Sequence, residues 1–319
     1  MASLCPHPAS LLTRARVSPA AARSTRRVAP ARCAAAPADD PRVVGRRGAI
    51  SAGVVASLLA AVDVGVAAQP AAAEPLAGAS DGPVLVVGAT GNTGRRVVEQ
   101  LRARGVAVRA ASRKPEKMRA LGLEAAGAEL VALDVLDPDS IASAMAGASA
   151  VVCCTGFTPS LNFKKDNPAK VDHVGTDNLV AAAVAEKGVK RFVLVTSLLT
   201  NAKAAGQADN DNYKFLNALG GVLDEKLAAE LNLRGSGLDY TIVRPGGLSN
   251  EPESVTGPVI VRGEDTTFGL PTDPGREISR DTVAAVCVEA LFASGASKRV
   301  VEIVASPDAP KTSPDTWFA

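Results

Sequence analysis

The chain has 319 residues, 47% of them hydrophobic, with 35 basic against 33 acidic side chains and a formal charge of +2 at neutral pH. A balance this even offers no basic face for nucleic acid. Five cysteines and two histidines, in no C-x-x-C or comparable spacing, argue against a metal site.

Residues 1–74 stand apart in composition. They hold nine Arg and no Lys against four acids, among many Ala, Ser and Pro, which is the make-up of an organelle transit peptide. Arg46–Arg47 then precede an apolar stretch, "GAISAGVVASLLAAVDVGVAA", and a small-residue site ending at Ala73. That order is similar to a twin-arginine export signal. Asp63 and several glycines interrupt the apolar run, leaving it marginal as a spanning helix. The expectation is a chloroplast protein directed to the thylakoid lumen or membrane, possible partners being a thylakoid surface or protein complex, with the stroma as the alternative. Residues 75–319 keep 26 basic and 29 acidic side chains, so the positive charge belongs to the targeting segment. Their 245 residues suit one α/β domain.

From Gly82 onward strands and helices alternate. "PVLVVGA" is a buried strand, and "GRRVVEQLRARG" has helical periodicity with a glycine stop. "VAVRAASR" and "AELVALDV" are the next strands, separated by a helix over "PEKMRALGLEAAG". A helix capped at Asp137 leads to the strand "ASAVVCCTG", in which adjacent Cys153 and Cys154 face opposite sides. "DHVGTDNLVAAAVAEKG" is a long helix carrying His173, read as a surface or core residue, and "VKRFVLVTS" is the fifth strand. "GGVLDEKLAAEL" opens a further helix, before the strand "LDYTIVRPGG", the helix "SRDTVAAVCVEALFAS" and a last strand "RVVEIVAS". Unbroken Val/Leu/Ile strands between helices imply a single Rossmann-type, doubly wound parallel sheet with helices on both faces. The irregular pieces, 157–169, 198–207 and 248–277, follow strands, where open α/β sheets hold ligands.

"VVGATGNTGRR" places Gly88, Gly91 and Gly94, with Thr90, Asn92 and Thr93 between them, after a strand and at a helix start. That is the setting in which a glycine-rich turn cradles a dinucleotide pyrophosphate. An NAD-binding chain carries an acid about 20 residues on; here Ser112, Arg113 and Lys114 stand at the end of the second strand. A guanidinium pairs with a 2′-phosphate and a carboxylate repels it, so NADP(H) is the expected cofactor.

The segments "GATGNTG", "ASRKPEK", "LDVLDPDS", "TSLLTN", "YTIVRPGGL" and "ISRDTVAAVCVEAL" resemble the atypical short-chain dehydrogenase/reductase (SDR) superfamily. They are most similar to chloroplast NAD(P)-binding proteins related to the NADP-binding subunit of the inner-envelope import machinery, over about Gly82–Pro310. The resemblance implies that Asp134 and Val135 flank the adenine, Thr155 and Gly156 line the ribose, and Pro245, Gly246 and the following residues to Leu248 approach the nicotinamide. Complete members use a serine with Y-x-x-x-K, in which lysine holds the ribose and tyrosine exchanges the proton. Ser197 and Lys226 match the serine and lysine, but Val222 stands where the tyrosine would be. Neither Tyr213 nor Tyr240 has a lysine four residues on; Tyr213 is the substitute acid to be weighed against simple packing. Two readings follow: an NADPH-dependent reductase of a quinone, flavin or conjugated isoprenoid, and a non-catalytic NADP(H)-loaded redox sensor or assembly factor at thylakoid complexes.

Overall fold

A computed structural model describes residues 82–158, 167–218 and 220–319. The expected targeting segment lies outside these residues. The strands are β1 (Val84–Val87), β2 (Val108–Ser112), β3 (Glu129–Ala132), β4 (Ala150–Cys153), β5 (Arg191–Val195), β6 (Tyr240–Pro245), β7 (Gly247–Ser249), β8 (Val259–Arg262), β9 (Glu277–Ser279) and β10 (Arg299–Ala305). The helices are α1 (Asn92–Ala103), α2 (Pro115–Ala120), α3 (Pro138–Met145), α4 (Gly175–Glu186), α5 (Asp211–Asn217), α6 (Val222–Gly235), α7 (Glu253–Thr256) and α8 (Arg280–Ala290).

The sheet runs β3-β2-β1-β4-β5-β6-β10, with every neighbouring pair parallel. The chain winds outward from β1 to β3, returns to β4, and winds the other way. The order therefore reverses between β1 and β4, where a crevice opens at the carboxyl ends of the strands. Strand side chains alternate between two cores, as period-2 geometry requires. Val84, Val86, Val152 and Val193 face α1, α2 and α8; Leu85, Val87, Val151 and Phe192 face α3, α4 and α6. Complete burial of a side chain such as Leu85 or Phe192 contributes about 1.5–3 kcal/mol relative to exposure.

The sheet is not wholly parallel. β8 and β9 pair antiparallel with β10, and β7 adds to β9. These strands, with α7, take up part of 248–277, a stretch expected to be irregular. "VIVR" between Gly257-Pro258 and Gly263 is a short β-branched run bounded by turn residues, which is a strand signature. α2 is also shorter than expected: it stops at Ala120, and turns through Gly122 and Gly127, both at positive φ, complete the stretch. α5 lies in a stretch given no element, started by Asn210, whose side chain accepts the N–H groups of Asn212 and Tyr213. A third apolar cluster, including Leu198, Leu199, Tyr213 and Leu223, sits under the segment between β5 and α6.

Among the described residues, no helix is long and apolar enough to cross a membrane.

Candidate cofactor and substrate cleft

Two joined hollows lie over the crevice between β1 and β4. One, of about 400 Å³, is bordered by the glycine-rich turn, Ser112, Arg113, Asp134 and Val135. The other, of about 550 Å³, is bordered by Asn92, Thr93, Ser197, Val222 and Lys226. Gly91, Cys154, Thr155, Gly156 and Thr158 border both, so they form one continuous cleft.

The turn is built for close approach. Gly88 has φ +83°, and a Cβ there would stand 2.9 Å from the Cys154 carbonyl oxygen. A Cβ on Gly94 would collide with the Gly88 carbonyl oxygen, so Gly94 lets α1 begin directly against the turn and is itself buried. No side chain caps α1 and no acid stands in its first turn. Its N-terminal N–H groups and dipole thus face the cleft, as an anion requires. Arg113 borders the far end, joined there by Lys117, which α2 brings in from outside the strand-end triplet of 112–114. Ser112 is buried; its hydroxyl accepts the Lys114 N–H at 3.1 Å and shapes the strand end. Lys114 itself occupies the N-terminal boundary position of α2, without a side-chain capping bond, and does not border the cleft. Asp134 accepts the Leu136 N–H through Oδ1 at 3.1 Å, fixing the turn after β3. Gly cradle, uncapped helix and distal cations together fit a phosphorylated dinucleotide.

Lys226 lies one turn after Val222 on α6, and both border the larger hollow with Ser197. The Lys226 ammonium donates to Asp172 Oδ1 at 2.6 Å; Asp172 is fully buried there and accepts the Phe157 N–H through Oδ2 at 3.1 Å. Asp172 stands on a π-helical turn, Ala169–Val174, that runs into α4. Its neighbour His173 is half-buried and meets Glu225 at 2.8 Å and Asp177 at 3.2 Å. Among the described residues no cluster of metal-binding side chains occurs.

Tyr213, Pro245 and Gly246 do not border the cleft either. Tyr213 is buried and donates to Asp224 Oδ1 at 2.6 Å. Burial, then the hydrogen bond to Asp224, raises its pKa above the ordinary phenol value. It packs the segment beneath α5 and is no substitute acid. Pro245 is buried in β6, and Gly246 lies against the Arg276 carbonyl, 2.5 Å from where its Cβ would be. Leu248, two residues on, does border the larger hollow. Cys154 borders the cleft as well, and burial pushes its thiol well above the ordinary value, which disfavours the thiolate.

Glycine turn, reversed sheet and cleft define an NAD(P)-binding Rossmann protein with an oxidoreductase-like fold. The chain belongs to the NAD(P)H-binding family, whose pattern matches residues 88–294. It is 47% identical over 238 residues to the chloroplastic protein At2g34460 of Arabidopsis thaliana, spanning 81% of that protein and 74% of this chain. It is 35% identical to the chloroplastic protein TIC 62 of Pisum sativum over 73% of this chain, but spans only 44% of TIC 62. Sanguinarine reductase of Eschscholzia californica is 30% identical over 70% of this chain and 89% of its own length. Among solved structures, a Bacillus halodurans protein assigned to the NAD-dependent epimerases/dehydratases superposes with a TM-score of 0.60 at 30% identity, covering 74% of this chain and 98% of its own. ChuY, an anaerobilin reductase from Escherichia coli O157:H7, gives 0.55 at 25% identity, covering 72% and 100%.

Proposed function

We propose that the protein is an NADPH-dependent reductase of a small conjugated acceptor, a quinone, flavin or isoprenoid, working in the chloroplast. The observation that carries this reading is the continuity of the cleft, in which the cofactor half opens into a hollow of about 550 Å³ bordered by Ser197 and Lys226. Bound NADPH would supply the hydride, and a proton from solvent would complete a two-electron reduction, leaving NADP⁺.

The chain's own residues hold and orient. Arg113 and Lys117 attract the 2′-phosphate, the α1 N-terminus takes the pyrophosphate, and Lys226, steered by Asp172, takes the ribose. Val222 offers no proton, which favours an acceptor that solvent can protonate over a simple ketone. The reductase names among the relatives agree with this direction, and their chloroplastic members agree with the compartment.

The test is anaerobic mixing of the NADPH-loaded chain with a panel of quinones and flavins. NADPH oxidation above background is expected; none across the panel would defeat the reading.

Val222 also supports a second reading, a non-catalytic NADP(H) sensor or assembly factor at thylakoid complexes. A ligand shifts such a protein only by binding one state better. Its capture partners should then differ between NADP⁺ and NADPH, and an identical set would remove it.

A further inference from the structure

The larger hollow has an uneven wall. Phe157, Val195, Leu216, Val222, Leu223 and Leu248 make it apolar, and no Asp or Glu borders it among the described residues. Two cations do, Lys226 and Arg280. Their situations differ. Lys226 is neutralised from behind by Asp172 at 2.6 Å. Arg280, the first residue of α8, donates to the Asn250 amide oxygen at 3.0 Å and has no carboxylate within ion-pair distance among the described residues.

The adjacent acid is already engaged. Asp281 pairs with Arg96 at 2.9 Å, and Ser279 caps the helix by accepting the Asp281 N–H. Arg280 is half-buried, and burial, then the neighbouring Arg96 cation, lowers its pKa. A partly buried guanidinium at the rim of a carboxylate-free hollow, with one neutral acceptor, is left with donor capacity that an arriving anion can take up. Glutamine or lysine would be the cheaper residue if Arg280 merely bridged α8 to the loop after β7.

We propose that Arg280 is the anion-binding residue of the substrate half, and that the acceptor is a conjugated apolar molecule carrying a carboxylate. This rests on the reductase reading for its site but not for its test. The apolar wall takes the conjugated body, and the guanidinium takes the carboxylate in a fork at the rim. Asn250 holds the Arg280 side chain in place before the ligand binds, so less rotamer freedom is lost on binding. The pyrophosphate of the cofactor is the other anion within this cleft; the α1 N-terminus serves it, and the experiment separates the two.

The full chain, saturated with NADP⁺, is titrated with cis-parinaric acid, a conjugated carboxylic acid whose fluorescence rises on binding, and with its methyl ester. The same titrations use Arg280→Gln and Arg280→Lys, and the NADPH affinity of each variant is measured separately. The acid is expected to bind roughly tenfold or more tighter than the ester, the preference a charge-assisted hydrogen bond gives. Arg280→Gln should abolish that preference, Arg280→Lys should keep part of it, and NADPH affinity should stay within about twofold of the parent, since the uniform phosphate contacts lie elsewhere. Equal binding of acid and ester by the parent, no binding of either, or a preference that survives Arg280→Gln overturns the proposal. So does a fall in NADPH affinity in Arg280→Gln with the acid preference intact, which assigns the guanidinium to the cofactor. Absence of turnover with the acid preference present would defeat the reductase reading alone.

Discussion

Arg113 and Tyr213 show how differently single residues project from sequence into chemistry. Arg113 borders the distal end of the cleft, where the register after Gly94 places it. Arg113→Ala is expected to weaken NADPH binding roughly tenfold to a hundredfold, the range for a charge-assisted hydrogen bond, and to leave NADH within about twofold. Parallel fluorescence titrations of the two cofactors read both numbers; equal weakening would mean that Arg113 contributes general charge and no 2′-phosphate recognition. Tyr213 is the contrary case. Its hydroxyl is committed to Asp224, which also pairs with Lys203 at 2.8 Å. Because its folded-state pKa is raised, the protonated phenol contributes stability that is full below the ordinary value near 10 and is lost as pH rises through the raised one. Tyr213→Phe should therefore cost about 1–3 kcal/mol at neutral pH and flatten that alkaline decline, with turnover unchanged. Denaturation midpoints against pH check the first part, and a large loss of activity at unchanged stability would restore Tyr213 as an acid.

At the scale of elements, what the sequence made legible was whatever a single element determines. The glycine turn and α1 are adjacent in the chain, so their spacing already states their purpose, and Val222 and Lys226 share a face because 3.6-residue periodicity puts them there. Asp172 and Arg280 were not legible, since each acquires its role from elements far away: Asp172 from α6, 54 positions on, and Arg280 from the cleft formed by α1, β5 and α6. A faint signal existed for Asp172, an acid in the apolar phase of a helix. The π-helical turn that carries it widens the helix locally and aims the carboxylate at both Lys226 and the Phe157 N–H. Asp172→Asn retains the shape and removes the charge. It should raise the KM for NADPH by roughly tenfold, up to the worth of one charged hydrogen bond, with a smaller fall in kcat. Steady-state kinetics separate the two; an unchanged KM with a lower melting temperature would make Asp172 a purely structural residue.

The whole molecule depends on one charged knot that no local pattern announced. Arg244 stands in β6 amid an apolar strand and is completely buried, as are Glu230 of α6 and, nearly so, Glu302 of β10. An arginine within a buried strand demands carboxylates, but the sequence cannot say which. The structure supplies Glu230 at 2.6 Å and Asp265 at 2.8 Å, while Glu302 accepts the N–H groups of Asp265, Thr266 and Thr267 at 2.8–3.0 Å. The knot thus joins the central sheet, the helix that carries Lys226 and the loop after β8. Burial raises the Glu302 carboxyl above its ordinary value, whereas the surrounding carboxylates hold the Arg244 guanidinium more firmly protonated than usual. Both groups are thus held protonated, but this favours the charged form at Arg244, whose anionic partners outweigh its burial, and the neutral form at Glu302, where burial outweighs the amide donors and the cation. Removing the cation leaves Glu230 and Glu302 buried without it, so Arg244→Ala should cost about 3–5 kcal/mol, read as a lower midpoint in guanidinium chloride. Arg244→Met combined with Glu230→Leu removes charge from both sides and should recover part of that loss, because desolvation of the pair nearly offsets its attraction. Were the double variant as unstable as the sum of its parts, the knot would be a set of independent contacts, and α6 would owe its position over the cleft to apolar packing alone.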